Sequence, residues 1–222
     1  MVTREELEDK YPIPADVEDI VEEAGRLMNE TGESEKALNA YLSALNIYPN
    51  HPRILNFVGK VYYTGGNFTS AEEYYLRAIA EAPDFAFAYS NLSLLYSKID
   101  DLEKAERYAR RSIKLFKASA IPWNTLGVCF AKRGETRRAL EHFLAAYGYD
   151  PKYTKAAYNI ACCYSVLNEP EKALEYLTGS LENRVMIKLA EEDPVLSNVR
   201  ELPEFEEVLN EAMALIANEK DR

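Results

Sequence analysis

The chain has 222 residues, 47% of them hydrophobic, and 26 Lys and Arg against 37 Asp and Glu give a net charge of −11. That apolar content supplies a buried core and excludes a chain disordered throughout. The longest stretch without a charged residue is Ala37–Pro52, 16 residues, short of the roughly 18 that a membrane-spanning helix needs, and the acidity argues against a general nucleic-acid binder.

The first ten residues lack the apolar run of a secretory signal, so none is expected. Thr3-Arg4-Glu5-Glu6 has the form of a capping box and predicts a short helix before Pro12 and Pro14, so residues 1–17 read as a cap or arm. From Glu18 a 34-residue period takes over. Its clearest copy runs through Trp123, Leu126, Gly127, Phe130, Ala139, Phe143, Ala146 and Pro151. The Gly127 position holds Gly25, Gly59, Ser93 and Ala161 in the other copies. At the Ala139 position all copies are Ala: Ala37, Ala71, Ala105 and Ala173 besides Ala139. Five units follow without insertion, 18–51, 52–85, 86–119, 120–153 and 154–187.

Each unit predicts two helices, A then B. Small residues at the Gly127 and Ala139 positions let the two approach, and large ones at the Trp123, Leu126 and Phe130 positions form a buried stripe. The turns between them carry capping chemistry, as in Thr31-Gly32-Glu33-Ser34 and Gly65-Gly66-Asn67. A proline at the Pro151 position ends helix B.

This pattern resembles the tetratricopeptide repeat. The resemblance implies an all-α, right-handed α-solenoid of helix-turn-helix repeats, with capping helices at its ends. Departures are local: Ser93, Ala109 and Lys117 in the third unit, and small Ala24 in the first. Residues 188–222 leave the period and are expected to form C-terminal capping helices. There Phe205, Leu209, Ala212 and Ile216 make an apolar stripe.

Catalytic and metal chemistry is not found, so no enzyme, cofactor or metal site is expected. His142 stands where other units have Tyr74, Tyr108 and Tyr176 and reads as a packing residue, and His51 reads as a solvated turn residue. Cys129 and Cys163 take core positions, while Cys162 falls on the ligand side. Cysteines without a regular framework fit a reducing compartment, and a cytoplasmic location is expected.

The resemblance implies that helix A lines a concave groove for extended peptides or partner helices. The expected peptide-binding residues are Asn56, Lys60, Tyr63, Phe87, Asn91, Leu94, Asn124, Tyr158 and Asn159. An Asn amide both donates and accepts, so it suits a peptide backbone of any sequence. It suits the adjacent repeat equally, and the sequence leaves that choice open. The pattern by which some relatives grip a C-terminal carboxylate is not matched, because Ile121 and Thr125 stand where it needs other residues.

A second surface is basic. Arg107, Arg110, Arg111 and Lys114 run along helix B of the third unit, with Lys132, Arg133, Arg137 and Arg138 in the next. They could dock an anionic partner, an acidic protein or RNA, or they could be a solvated face. The charge is unevenly spread: residues 1–50 carry −8, residues 51–180 carry +3 and residues 181–222 carry −6. The total therefore excludes nucleic acid less firmly than it first suggests, and it allows salt-dependent self-association into a homo-oligomer. The leading expectation is a non-enzymatic adaptor or scaffold that binds a protein segment in the groove.

Overall fold

A computed structural model describes residues 9–181 and 184–220; the Thr3–Glu6 capping box lies outside them. Every regular element among the described residues is helical. Two compact units divide at Ala118 and Ser119.

In the first unit, α1 (Ala15–Arg26) runs into a π turn, Leu27–Thr31, and is followed by α2 (Ser34–Ile47). Then come α3 (Pro52–Thr64), α4 (Phe68–Glu81), α5 (Ala86–Lys98) and α6 (Leu102–Leu115). The second unit holds α7 (Ala120–Lys132), α8 (Thr136–Tyr149), α9 (Thr154–Val166) and α10 (Pro170–Thr178). It closes with α11 (Arg184–Glu192), a 3-10 turn at Pro194–Leu196, α12 (Ser197–Arg200) and α13 (Glu204–Lys220). Helices A start at residues 52, 86, 120 and 154, and helices B at 34, 68, 102, 136 and 170. The first helix alone is out of step, starting at Ala15 rather than Glu18.

One backbone conformation sets the turn inside every hairpin. Gly32, Gly66, Asp100, Gly134 and Asn168 all have positive φ, between 61° and 79°. That left-handed residue reverses the chain between helices A and B, and Gly, Asn and Asp tolerate it best. Behind it, Asn67 and Asp101 cap α4 and α6 by accepting from the backbone N–H of Ser70 and Lys104, each at 3.1 Å.

The hairpin then closes by size complementarity. A Cβ added to Gly59 would lie 2.6 Å from the Tyr75 ring, and one on Gly127 would lie 2.4 Å from the Phe143 ring. Where helix A carries a side chain, helix B gives way: buried Ser93 belongs to the unit that has Ala109, and Ala161 to the one that has Leu177. The first hairpin differs from expectation. A Cβ on Gly25 would meet only the Tyr41 hydroxyl, at 3.7 Å. The Tyr41 ring is instead stacked on Phe57 of the next hairpin, centroids 5.3 Å apart.

At the C-terminal end, Phe205 and Leu209 are buried, with Ala212 and Ile216 packed beside them. They share a cluster with Ala173, Leu177, Leu196 and Val199, so α12 and α13 cover α10 as a cap.

Gly59→Ala and Gly127→Ala should each destabilise by about 1–3 kcal/mol, the usual cost of overpacking. Gly25→Ala has no ring to meet and should stabilise by about 0.5–1 kcal/mol, because Gly is a poor helix former. Urea unfolding followed by circular dichroism distinguishes the three.

Candidate functional site

In the first unit the fifth position of α3 reaches the sixth position of α5. Asn56 is 7% exposed, and its Oδ1 accepts from Asn91 Nδ2 at 2.8 Å. The same rung recurs in the second unit, where Asn159 of α9 donates to Asn124 of α7 at 2.9 Å. The four groove asparagines therefore meet in two pairs, one inside each compact unit. Asn56 and Asn124 are buried, and Asn91 and Asn159 are half-buried. Of the other expected residues in the first unit, Lys60 is exposed, and Leu94 and Tyr63 are half-buried, the latter against Phe68. Phe87 packs edge-on against Phe85 and Phe116.

In the second unit the C-terminal segment covers α9. Tyr158, 8% exposed, donates its hydroxyl to Asp193 at 2.7 Å. Burial and that carboxylate raise the phenol's pKa. Ser165 meets the Val195 carbonyl and Asn198, whose amide donates back to the Ser165 carbonyl at 3.0 Å. Arg200 ties the segment down by donating to the Asp193 carbonyl at 2.7 Å. The expectation of a ligand-facing Tyr158 gives way here, because the chain's own tail fills that place. Cys162 lies beside Tyr158, and burial pushes its thiol up to about 12, so it is not an activated nucleophile. His142 stacks on Phe130 at 5.0 Å and sits near Trp123 at 5.8 Å, in a packing position.

The Asn56–Asn91, Asn124–Asn159 and Tyr158–Asp193 pairs all span 35 residues. The corresponding residues of the first two hairpins are Glu22 and Phe57, which cannot make such a bond. Both instead line a cleft of about 420 Å³. Val21, Ile13, Met28, Tyr41 and Phe57 give it apolar surface, with Gly25 between them. Asp9, Glu18 and Glu22 supply acidic groups, and Arg53 and Lys60 of α3 supply basic ones. Burial pushes the Tyr41 hydroxyl up to about 12.

The segment before α1 forms part of this cleft and straps itself to the turns between hairpins. Tyr11 donates to Asp84, which also pairs with Lys10, and the Tyr11 ring meets Phe85 edge-on at 5.7 Å. Arg53 donates to the Tyr11 carbonyl at 3.4 Å. His51, expected in solvent, is half-buried, with Nε2 2.9 Å from the Pro12 carbonyl. That bond needs the N–H on Nε2, and Nδ1 is buried without a partner. Burial accordingly lowers the imidazole pKa, and Lys10 with Tyr11 holds the Asp84 carboxyl below its usual range.

The basic residues of α6 are exposed but engaged. Arg110 pairs with Glu106 at 2.7 Å. Arg107 lies over the Tyr108 ring, and Arg111 lies over Tyr89 while donating to the Pro83 carbonyl at 3.4 Å. Arg77 makes the equivalent bond one repeat earlier, to Pro49 at 3.3 Å, so this arginine position ties helix B to the preceding turn. Lys114 is exposed on the same helix as Arg111.

The cleft and the strap escape a reading confined to the period. The period does contain one signal for the cleft, Glu22 facing Phe57 at the step where Asn56 meets Asn91, Asn124 meets Asn159 and Tyr158 meets Asp193. No helix among the described residues is long and apolar enough to cross a membrane, and none of their acidic, His and Cys side chains cluster as metal ligands do.

Two tetratricopeptide repeat models match the chain, one at residues 24–84 and 91–153 and another at 74–107. BBSome complex member bbs-4 of Caenorhabditis elegans is 22% identical over 69% of this chain, which spans about a third, 33%, of that protein. A thermophilic TPR protein of Thermus thermophilus superposes with a TM-score of 0.67 at 19% identity, over 87% of this chain and 99% of its own. YrrB, described as a TPR protein with an unusual peptide-binding site, gives a TM-score of 0.54 at 22% identity, over 88% and 95%.

Removing a rung donor strands a buried acceptor. Asn91→Ala and Asn159→Ala should each cost about 1–3 kcal/mol of stability. The Asn56→Ala/Asn91→Ala double variant should cost less than the sum of its singles, which a double-mutant cycle in urea reads directly. The strap should loosen in acid. His51 and Asp84 both have depressed pKa values, so the stability each gives is present above its unfolded-state pKa and falls as pH drops through the folded one. His51 loses its contribution first, as pH falls below about 6.5, and Asp84 loses its own only below about pH 4. Amide exchange of residues 9–14, corrected for intrinsic rate, should therefore rise on acidification while the α3 and α4 cores stay protected.

Proposed function

The chain belongs to the tetratricopeptide repeat family, and we propose that it is a non-enzymatic adaptor whose helix A face holds a segment of a partner protein. Members of this family generally mediate protein–protein interaction and are typically not enzymes. The observation that carries the reading is the open helix A face of residues 9–118. There an apolar cleft, exposed Lys60 and half-buried Leu94 and Asn91 share one side of α1, α3 and α5. Beyond its rung, Asn91 retains an amide oxygen and one N–H for a peptide backbone, and Asn159 retains the same in the second unit. Tyr63 and Phe87 flank the face as apolar surface rather than as free anchors. YrrB, described as peptide-binding, lends the reading support by fold alone. A reducing, cytoplasmic setting suits three cysteines that form no disulfide.

Docking of an acidic protein or RNA on α6 is the weaker alternative. Arg110 and Arg111 already hold Glu106 and the Pro83 carbonyl, which leaves Arg107 over its own tyrosine and Lys114.

A photo-crosslinking residue placed at Lys60 or Leu94, with Arg107 and Lys114 as comparison sites, tests the choice in lysate of the source cells. Discrete adducts from Lys60 and Leu94, competed by unlabelled protein, are expected. Adducts arising only from Arg107 and Lys114 would overturn the adaptor reading.

A further inference from the structure

The cleft of the first two hairpins has features that the repeat pattern does not require. Gly59 and Gly127 are glycine because rings of helix B lie against them, whereas Gly25 has only the Tyr41 hydroxyl within reach, at 3.7 Å. A mid-helix glycine costs about 1 kcal/mol relative to alanine, and packing gives no return for it at Gly25. What its missing side chain leaves is open volume beside Val21 and Phe57, inside the cleft. The 35-residue rung is absent at the same place, because Glu22 faces Phe57. The Glu18 and Glu22 side chains, and that of Lys60 on the other wall, are exposed and make no ion pair or hydrogen bond among the described residues. The Arg53 guanidinium is turned to the Tyr11 carbonyl. The field of the described residues 9–50 is negative, since they carry −6.

We propose that this cleft receives a cationic peptide segment with a single apolar anchor: the anchor sits over Gly25 between Val21 and Phe57, and flanking Lys or Arg groups meet Glu18 and Glu22. The proposal rests on the adaptor reading and gives its partner a chemistry. Complementary charge steers the segment in and rejects acidic competitors. Lys60 fixes its direction by taking a carbonyl or carboxylate on the α3 side. The apolar anchor supplies most of the affinity, because it alone is removed from water.

The test uses the full chain and three labelled 12-residue peptides, read by fluorescence anisotropy at two salt concentrations. One is Lys-rich with a central Phe, one replaces Lys by Glu, and one replaces Phe by Ser. The first should bind at least about tenfold tighter than either of the others, more weakly as salt rises. Gly25→Leu should abolish that preference by filling the cleft, while Gly25→Ala keeps it. Glu18→Lys/Glu22→Lys should transfer the preference to the Glu peptide at unchanged unfolding midpoint, and this variant decides the matter if Gly25→Leu does not fold. Equal or tighter binding of the Glu peptide would overturn the proposal. So would binding indifferent to both Gly25→Leu and the charge reversal, or self-association of the chain that Gly25→Leu removes. Persistence of the Lys60 and Leu94 crosslinks in both variants would reject this ligand chemistry and leave the adaptor reading intact. Loss of every helix A crosslink in the unaltered chain would reject the adaptor reading itself.

Discussion

The closure of the second and fourth hairpins rests on one contact, a helix A backbone laid against a ring of helix B. Gly59 against Tyr75 and Gly127 against Phe143 leave no room for even a methyl group. The chain does not solve this contact identically in every repeat. Elsewhere it trades size across the contact, setting Ser93 with Ala109 and Ala161 with Leu177, so that a side chain on helix A is met by a smaller one on helix B than Tyr or Phe. The left-handed residue at the turn makes the approach possible, by reversing the chain within a few residues of both helices. Closure of a hairpin still leaves one apolar side open, so each needs the next to cover it.

Inside each compact unit a polar bond at a separation of 35 residues ties one helix A to the next, except at the first hairpin. Asn56–Asn91 and Asn124–Asn159 are the regular form. The C-terminal segment copies it with different chemistry, Tyr158 donating to Asp193. A cap therefore needs little of the repeat's sequence. It needs a group at the right separation and apolar cover for the last helix B, which Leu196, Val199, Phe205 and Leu209 provide. The same logic explains why α9 is poorly open to a ligand, since Ser165 and Tyr158 are already held by the tail.

Much of this was legible in the sequence, and the physical reason is periodicity. Five aligned copies average out local noise, so the helices and their turns follow from position. The side-chain amides were not so readable. An Asn facing a groove and an Asn facing its neighbour have the same helical phase, and only the distance between hairpins separates them. Long-range contacts outside the period were invisible for a related reason. Nothing near His51 in sequence announces the Pro12 carbonyl, and nothing near Asp84 announces Tyr11. The open first hairpin was half-legible: Gly25 and Tyr41 look like a closing pair, but the Tyr41 ring is taken by Phe57.

These two kinds of contact together bias where a ligand can gain most. A groove residue that already bonds the next hairpin offers a partner only its remaining donor or acceptor, and taking the rest would cost the array its register. Along α3, α5, α7 and α9 the amides are in that condition. At α1 they are not, because Glu22 has no counterpart to bond and the apolar surface below it is not filled by a ring. Exposed carboxylates beside uncovered apolar surface leave a partner apolar area to remove from water and charge to complement. The first hairpin is thus a place where binding would supply the contact that Asn56 with Asn91, Asn124 with Asn159 and Tyr158 with Asp193 make within the chain.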